Sequence, residues 1–146
     1  MQIRNIVVED YFSVSSVIND WWGGRPMTHL LPRLFFEHFQ PTSFVIETEN
    51  ELVAFIIGFI SQTKSNHAYI HFVGVNPNYR KQGHANHLYD LFFNTVKVMG
   101  CNEVYCITTP VNTGSIAFHK AIGFDAQLTK DYAGEGQDRI VFSKCI

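Results

Sequence analysis

The chain has 146 residues, 11 Lys and Arg against 13 Asp and Glu, and a formal net charge of -2. Charged residues make up 16% and aromatics 14%, with 13 phenylalanines, against about 25% charged residues in an ordinary soluble protein. This excludes a disordered tail, a polybasic nucleic-acid binder and an acidic solvating segment, and leaves a single domain over residues 1–146 with enough length for its own core.

Gln2 to Val8 alternates and is rich in Ile and Val, the pattern of an opening strand. Glu9-Asp10 gives an acidic first turn to a helix. Tyr11, Val14, Val17, Ile18 and Trp21 recur at helical spacing, and Gly23-Gly24-Arg25-Pro26 breaks the helix. A second helix is expected over Leu30 to Phe39, with Pro41 at its end. The period then changes. Ser43–Glu47, Leu52–Ser61 and Ala68–Val75 read as strands of an antiparallel meander, joined by short polar turns.

Gly83 to Met99 is helical, with Ala85, Leu88, Phe92, Val96 and Met99 on one stripe. Val104–Thr108 is a strand and Asn112–Ala121 a helix. Phe124–Leu128 and Arg139–Ser143 are strands on either side of a polar loop. The order is β-α-α-β-β-β-α-β-α-β-β. The longest apolar run, Leu52 to Ile60, is far short of the roughly 20 residues that span a bilayer. Cys101, Cys106 and Cys145 have neither CxxC nor paired His spacing, so no metal site and a reduced cytoplasmic setting are expected; the charge balance and the short apolar runs lead to the expectation of no nucleic-acid and no membrane partner.

The stretch that carries chemistry is Val73-Gly74-Val75-Asn76-Pro77-Asn78-Tyr79-Arg80-Lys81-Gln82-Gly83-His84-Ala85. A strand ends, a turn follows, and Arg-x-x-Gly-x-Ala opens a long helix. The first turn of a helix has unpaired N–H groups and a positive dipole end, which together attract an anion. Gly83 and Ala85 keep that approach clear. Arg80-Lys81 is the one adjacent Arg/Lys pair in the chain. A capped helix behind a tight turn, with a solvated basic pair, is the plain structural alternative.

This segment resembles the acyl-CoA signature of the GNAT acetyltransferase superfamily, Arg/Gln-x-x-Gly-x-Gly/Ala. A second block agrees: Asn112-Thr113-Gly114-Ser115, followed by Phe118-His119 and Gly123-Phe124, resembles the superfamily's later Asn-x-x-(Ala/Ser) and Gly-Phe helix. The resemblance extends over essentially the whole chain. It implies an α/β fold of the α+β type: a mixed, mostly antiparallel sheet of six or seven strands, about four helices, and a splay between the fourth and fifth strands.

It also implies acetyl-CoA as cofactor, with no metal, and a primary amine, small molecule or peptide, as acceptor. The backbone of Val73, Gly74 and Val75 would hold the pantetheine arm and offer the oxyanion an amide. Arg80 and the turn Lys81, Gln82, Gly83, His84, Ala85 and Asn86 would grip the pyrophosphate, and Asn112 and Ser115 would add contacts from beyond the fifth strand. The amine attacks the thioester directly in a ternary complex, so no protein nucleophile is needed.

The chain departs from the family pattern at the acid and the base. Many members carry Tyr where this chain has His119, which takes the place of the general acid. Members that use Glu as base carry it where this chain has Ile107 or Tyr69. Tyr69 and His71, on one face of the fourth strand, are the further catalytic candidates, His71 as a proton relay through water; an ordinary strand histidine is the alternative. Trp21, Trp22 and Arg25 lie where the family borders its acceptor site, or they simply lid the core. His84 and His87 are expected at the surface. Asp131, Glu135 and Asp138 form an acidic late loop, either drawn to an amine or merely solvated. The competing function is a GNAT-fold module that binds CoA without turnover; a homodimer is open, with Ile140–Phe142 as an edge.

Overall fold

The computed structural model describes residues 1–146. Seven strands form one sheet, and four α-helices accompany it. The strands are β1 (Gln2–Asn5), β2 (Phe44–Glu47), β3 (Leu52–Ile60), β4 (His67–Val75), β5 (Glu103–Thr108), β6 (Asp125–Thr129) and β7 (Arg139–Cys145), in the order β1-β2-β3-β4-β5-β7-β6. The helices are α1 (Asp10–Trp21), α2 (Leu34–His38), α3 (His84–Val98) and α4 (Thr113–Ala121). The mixed, mostly antiparallel sheet expected from the sequence is present.

The chain divides into two compact units. One comprises Met1–Phe59 and Ile70–Val96, the other Ile60–Tyr69 and Lys97–Ile146. In the first, β1, β2 and β3 pair antiparallel. Its core gathers Ile6, Val14, Ile18, Trp21, Leu31, Phe36, Val45, Phe55, Ile57 and Phe72. β3 is buried along Val53–Gly58, as its unbroken apolar run requires. The burial of Val14, Ile18 and Trp21 on α1 follows their helical spacing.

In the second unit β5 pairs antiparallel with β7, and β7 with β6. The start of β4 pairs parallel with β5 through His67↔Glu103, Ala68↔Val104 and Tyr69↔Tyr105. Ile70–Val75 lie beyond the last of these pairs. This is the splay expected between the fourth and fifth strands.

The expected helix over Leu30–Phe39 is broken up. Thr28–Leu30 and Gln40–Thr42 are single 3-10 turns, and α2 has only five residues. The reason is Pro32. It has no N–H to give, and its ring excludes helical geometry at the residue before it; Leu31 sits at φ -134 and ψ 69. The opening strand ends at Asn5 rather than Val8, because Val7 turns to meet Asp10.

Asp10 does more than complement a helix dipole. Its carboxylate is buried and accepts from Arg4 Nη1 (2.8 Å), Arg4 Nη2 (2.9 Å) and the Val7 N–H (2.7 Å). Arg4 also donates Nε to Glu47 at 2.9 Å, so one guanidinium joins β1, α1 and β2. The two carboxylates hold its pKa above the ordinary arginine value. Removing one member of a buried pair leaves the rest poorly compensated. Asp10→Ala is expected to lower unfolding free energy by about 3 kcal/mol, read from urea denaturation midpoints; a loss below about 0.5 kcal/mol, the size of an ordinary surface change, would contradict this reading.

Candidate active site

β4 alternates as its sequence does. Ala68, Ile70, Phe72 and Gly74 are buried, while Tyr69, His71, Val73 and Val75 form the half-buried face. Gly74 is required by contact: a Cβ there would stand 2.6 Å from Phe55 Cε1 and 3.0 Å from Trp22 Cη2. The rings therefore lie directly against the backbone of the segment expected to hold a pantetheine arm.

The turn beyond β4 is anchored before it opens. Asn76 is buried, donates Nδ2 to the Leu52 carbonyl (3.0 Å), and accepts from the Asn78 N–H (3.0 Å). Tyr79 donates its hydroxyl to Glu51 at 2.7 Å, and that carboxylate raises the tyrosine pKa. Glu51 is a supporting residue that sequence reasoning missed; no spacing links it to position 79.

Next come two left-handed residues, Lys81 at φ 61 and Gly83 at φ 83. Glycine pays no steric penalty there, whereas a side chain does. No atom lies within 4 Å of a Cβ built on Gly83, so its role is backbone conformation and clear approach, not internal packing. The first intrahelical bond of α3 runs from the His87 N–H to the Gly83 carbonyl at 3.0 Å. The amides before it are left for an outside partner. Lys81, Gln82, Gly83 and Asn86 are exposed. His84 departs from the surface expectation: it is half-buried, and its Nε2 is enclosed without a hydrogen-bond partner.

Arg80 does not follow the turn. Its Nη2 donates to the Trp21 carbonyl at 2.8 Å. Trp21 itself is a core residue, with its ring stacked 5.9 Å from that of Phe55. Trp22 is half-buried and packs 5.0 Å from Phe72, and Arg25 is exposed. Of the three residues expected to border the acceptor, only Trp22 and Arg25 have side chains outside the core.

His71 is a strut rather than a plain strand residue. Its Nε2 lies 2.6 Å from the Leu30 carbonyl, and its ring stacks on Phe35 at 4.2 Å. A carbonyl only accepts, so Nε2 carries the proton and, in the neutral ring, Nδ1 the lone pair. Burial lowers the His71 pKa, opposed by that hydrogen bond.

In the second unit, Asn112 caps α4. Its side chain accepts from the Ser115 N–H at 3.2 Å and donates to Thr108 Oγ1 at 3.1 Å. Ser115 in turn serves His119: the histidine Nδ1 lies 2.7 Å from the Ser115 carbonyl and 3.2 Å from its hydroxyl. The buried His119 ring stacks on Phe142 at 4.2 Å. The carbonyl again fixes the tautomer, with the proton on Nδ1 and, in the neutral ring, the lone pair on Nε2. Burial lowers the His119 pKa, against the raising effect of the carbonyl. Tyr69 is pushed far above its ordinary pKa, first by burial and then by Tyr132 and Cys106, so it is a neutral phenol.

The late acidic loop is tied to itself. Asp138 accepts from the Asp131 N–H and Asp131 from the Gly136 N–H, both at 2.8 Å. No group of three or more His, Cys, Asp or Glu is placed to hold a metal ion.

The sequence model of the Acetyltransferase (GNAT) family matches residues 2–124. The chain belongs to this family.

Among curated proteins, this GNAT chain is 32% identical over 82 residues to the L-2,4-diaminobutyric acid acetyltransferase of Virgibacillus pantothenticus. The match covers 56% of the chain and 52% of that protein, so the chain spans about half the length of the curated relative. Solved structures share the GNAT fold at low identity. Ard1 from Thermoplasma volcanium superposes with a TM-score of 0.81 at 20% identity, over 99% of this chain and 97% of that one. The diaminobutyrate acetyltransferase EctA of Paenibacillus lautus, solved with L-2,4-diaminobutyric acid and coenzyme A, gives 0.73 at 20% identity, over 97% and 93%. The ribosomal-protein-alanine N-acetyltransferase of Brucella melitensis gives 0.76 at 16% identity, over the full length of both.

Half-buried His71 and buried His119 make stability depend on pH. Their folded pKa values lie below the unfolded value of about 6.5, so the unfolded chain binds more protons in that window. Stability is full above about pH 6.5 and falls as pH drops through the folded values. The urea midpoint is expected to decline from pH 7.5 to pH 5, and the His71→Gln, His119→Gln double variant to decline less. Equal slopes in the two proteins would contradict the assignment.

Proposed function

We propose that this GNAT protein transfers an acetyl group from acetyl-CoA to a primary amine by direct attack. In the reaction a C–N bond forms and the thioester C–S bond breaks. The amine gives up a proton, and the leaving sulfur takes one. The observation that carries this reading is the turn from Arg80 to Ala85: two left-handed residues deliver an open helix N-terminus at the end of a strand. The geometry fits a pyrophosphate, which needs several N–H donors and no side chain in the way.

Acetyl-CoA supplies the acetyl group as a thioester. In this reading the amides of Lys81 to Asn86 hold the pyrophosphate, and the backbone of Val73–Val75 orients the pantetheine arm by the physics of strand addition. Asn112 and Ser115 support α4 and set the ring of His119. The acceptor is a primary amine: the Virgibacillus relative is named for a diamino acid and the Brucella one for a protein alanine, so both kinds belong in the test. Residues 1–146 act as a single acetyltransferase domain. A reducing, cytoplasmic setting keeps the free cysteines Cys101, Cys106 and Cys145 as thiols.

His119 handles the proton at Nε2. As a neutral ring it accepts a proton there; as an imidazolium it donates one. The two roles differ in sign with pH. With the pKa lowered, a base role gives a rate that rises with pH through that value, and an acid role gives one that falls.

Incubation with acetyl-CoA and a panel of amines, including L-2,4-diaminobutyrate and Ala-initiated peptides, is expected to release free thiol with at least one. Acetyl-CoA binding with no thiol release on any amine would instead indicate a binding module. Gly83→Glu puts a side chain at a left-handed position and a negative charge at the anion site. It is expected to abolish CoA binding in calorimetry; wild-type affinity would refute the placement. His119→Phe keeps an aromatic on Phe142 and is expected to lower kcat by about 10²-fold, with CoA affinity retained. An unchanged kcat would remove the proton role.

A further inference from the structure

The carbonyl of Trp21, the last residue of α1, is passed over by the backbone that follows it. The Trp22 N–H bonds to the Ile18 and Asn19 carbonyls, Gly23 to Asp20, Gly24 to Asn19, and Arg25 to Trp22. Arg80, 59 residues away, supplies Trp21 with its donor at 2.8 Å, and its Nε lies 3.4 Å from the Val75 carbonyl. α1 has no basic residue in its last turn, so Arg80 also brings the positive charge that a helix C-terminus favours. A second link runs beside it, where the Trp22 ring lies against Gly74.

The far end of the same loop is fixed as well. Asn19 Oδ1 accepts from the Met27 N–H (2.8 Å), the Thr28 N–H (3.2 Å) and the Thr28 hydroxyl (3.0 Å). Between these anchors, Gly23, Gly24, Arg25 and Pro26 are exposed, and both glycines are left-handed. The loop is a short span whose entry is set by Arg80 and Trp22 and whose exit is set by Asn19.

We infer that Arg80 is a positioning residue: its guanidinium ties the mouth of the Lys81–Asn86 turn to the end of α1, so that occupation of the turn and the conformation of the Trp22–Pro26 loop are coupled. The signature arginine is thus spent on a carbonyl, while the turn binds its anion through backbone amides. The consequence for the acceptor rests on the function proposed above, in which Trp22 and Arg25 border the amine. The strut itself does not depend on that reading. Lysine cannot replace the planar fork, because its single ammonium does not reproduce two differently directed N–H groups.

The test combines hydrogen exchange, calorimetry and kinetics on wild type, Arg80→Met and Arg80→Lys. In the absence of CoA, Arg80→Met is expected to speed exchange of the amides from Trp22 to Thr28 about tenfold, the scale of one lost hydrogen bond from a charged group. CoA should slow exchange both in the turn and in the loop of wild type, but only in the turn of Arg80→Met. The CoA Kd should stay within about threefold, and KM for the amine should rise about tenfold with kcat less affected. Arg80→Lys should fall between, and serves alone if the methionine variant does not fold. Unchanged loop exchange together with a large loss of CoA affinity would overturn the proposal and make Arg80 an anion ligand. Failure of wild type to bind CoA would defeat the acetyl-transfer reading, and the exchange arm without CoA would still decide the strut.

Discussion

The left-handed turn between β4 and α3 is the constraint on which the site depends. A chain leaving a strand and entering a helix within a few residues must turn sharply, and here Lys81 and Gly83 both adopt positive φ to do so. Non-glycine residues rarely do this, so part of the turn is strained. The return is a helix whose first amides point outward instead of into a preceding segment. Three residues leading into it brace this turn. Asn76 and Tyr79 moor it to Leu52 and Glu51, and Arg80 moors it to Trp21.

That arrangement makes the proposed binding of a polyanion compatible with a net charge of -2. Affinity for phosphate is commonly sought in lysines and arginines. In this protein the arginine of the signature is occupied by a backbone carbonyl, and in the function proposed the attraction would reside in peptide dipoles that a charge count does not register. The fold also separates two tasks. The first unit carries the turn, the Ile70–Val75 part of β4 and the loop after α1. The second carries Asn112, Ser115 and His119, a line of contacts along α4 that ends in a histidine whose tautomer is dictated by a carbonyl.

Much of this was legible in the sequence, for identifiable reasons. β4 announces its two faces by strict alternation, and Arg-x-x-Gly-x-Ala announces a turn into a helix because glycine is needed at the left-handed position. The Asn112–Ser115 block marks the start of α4, and the structure adds that Asn112 caps it. What stayed hidden depends on contacts between residues distant in sequence. Nothing local links Arg4 to Asp10 and Glu47, His71 to the Leu30 carbonyl, or Arg80 to that of Trp21. The broken second helix is different: Pro32 lies inside the span from Leu30 to Phe39, and its missing N–H and its ring interrupt the helix there. Trp21 stands in the stretch that the family resemblance sets beside the acceptor, yet its helical spacing from Val14 and Ile18 puts it in the core.

In the function proposed, backbone amides after Arg80 take the cofactor's pyrophosphate. Amide resonances followed during titration with CoA test it most directly. Large shifts are expected to concentrate at Lys81 to Asn86, with the same residues responding to a CoA fragment that keeps the pyrophosphate and lacks the pantetheine arm. Binding of CoA that leaves those amides unmoved would contradict it.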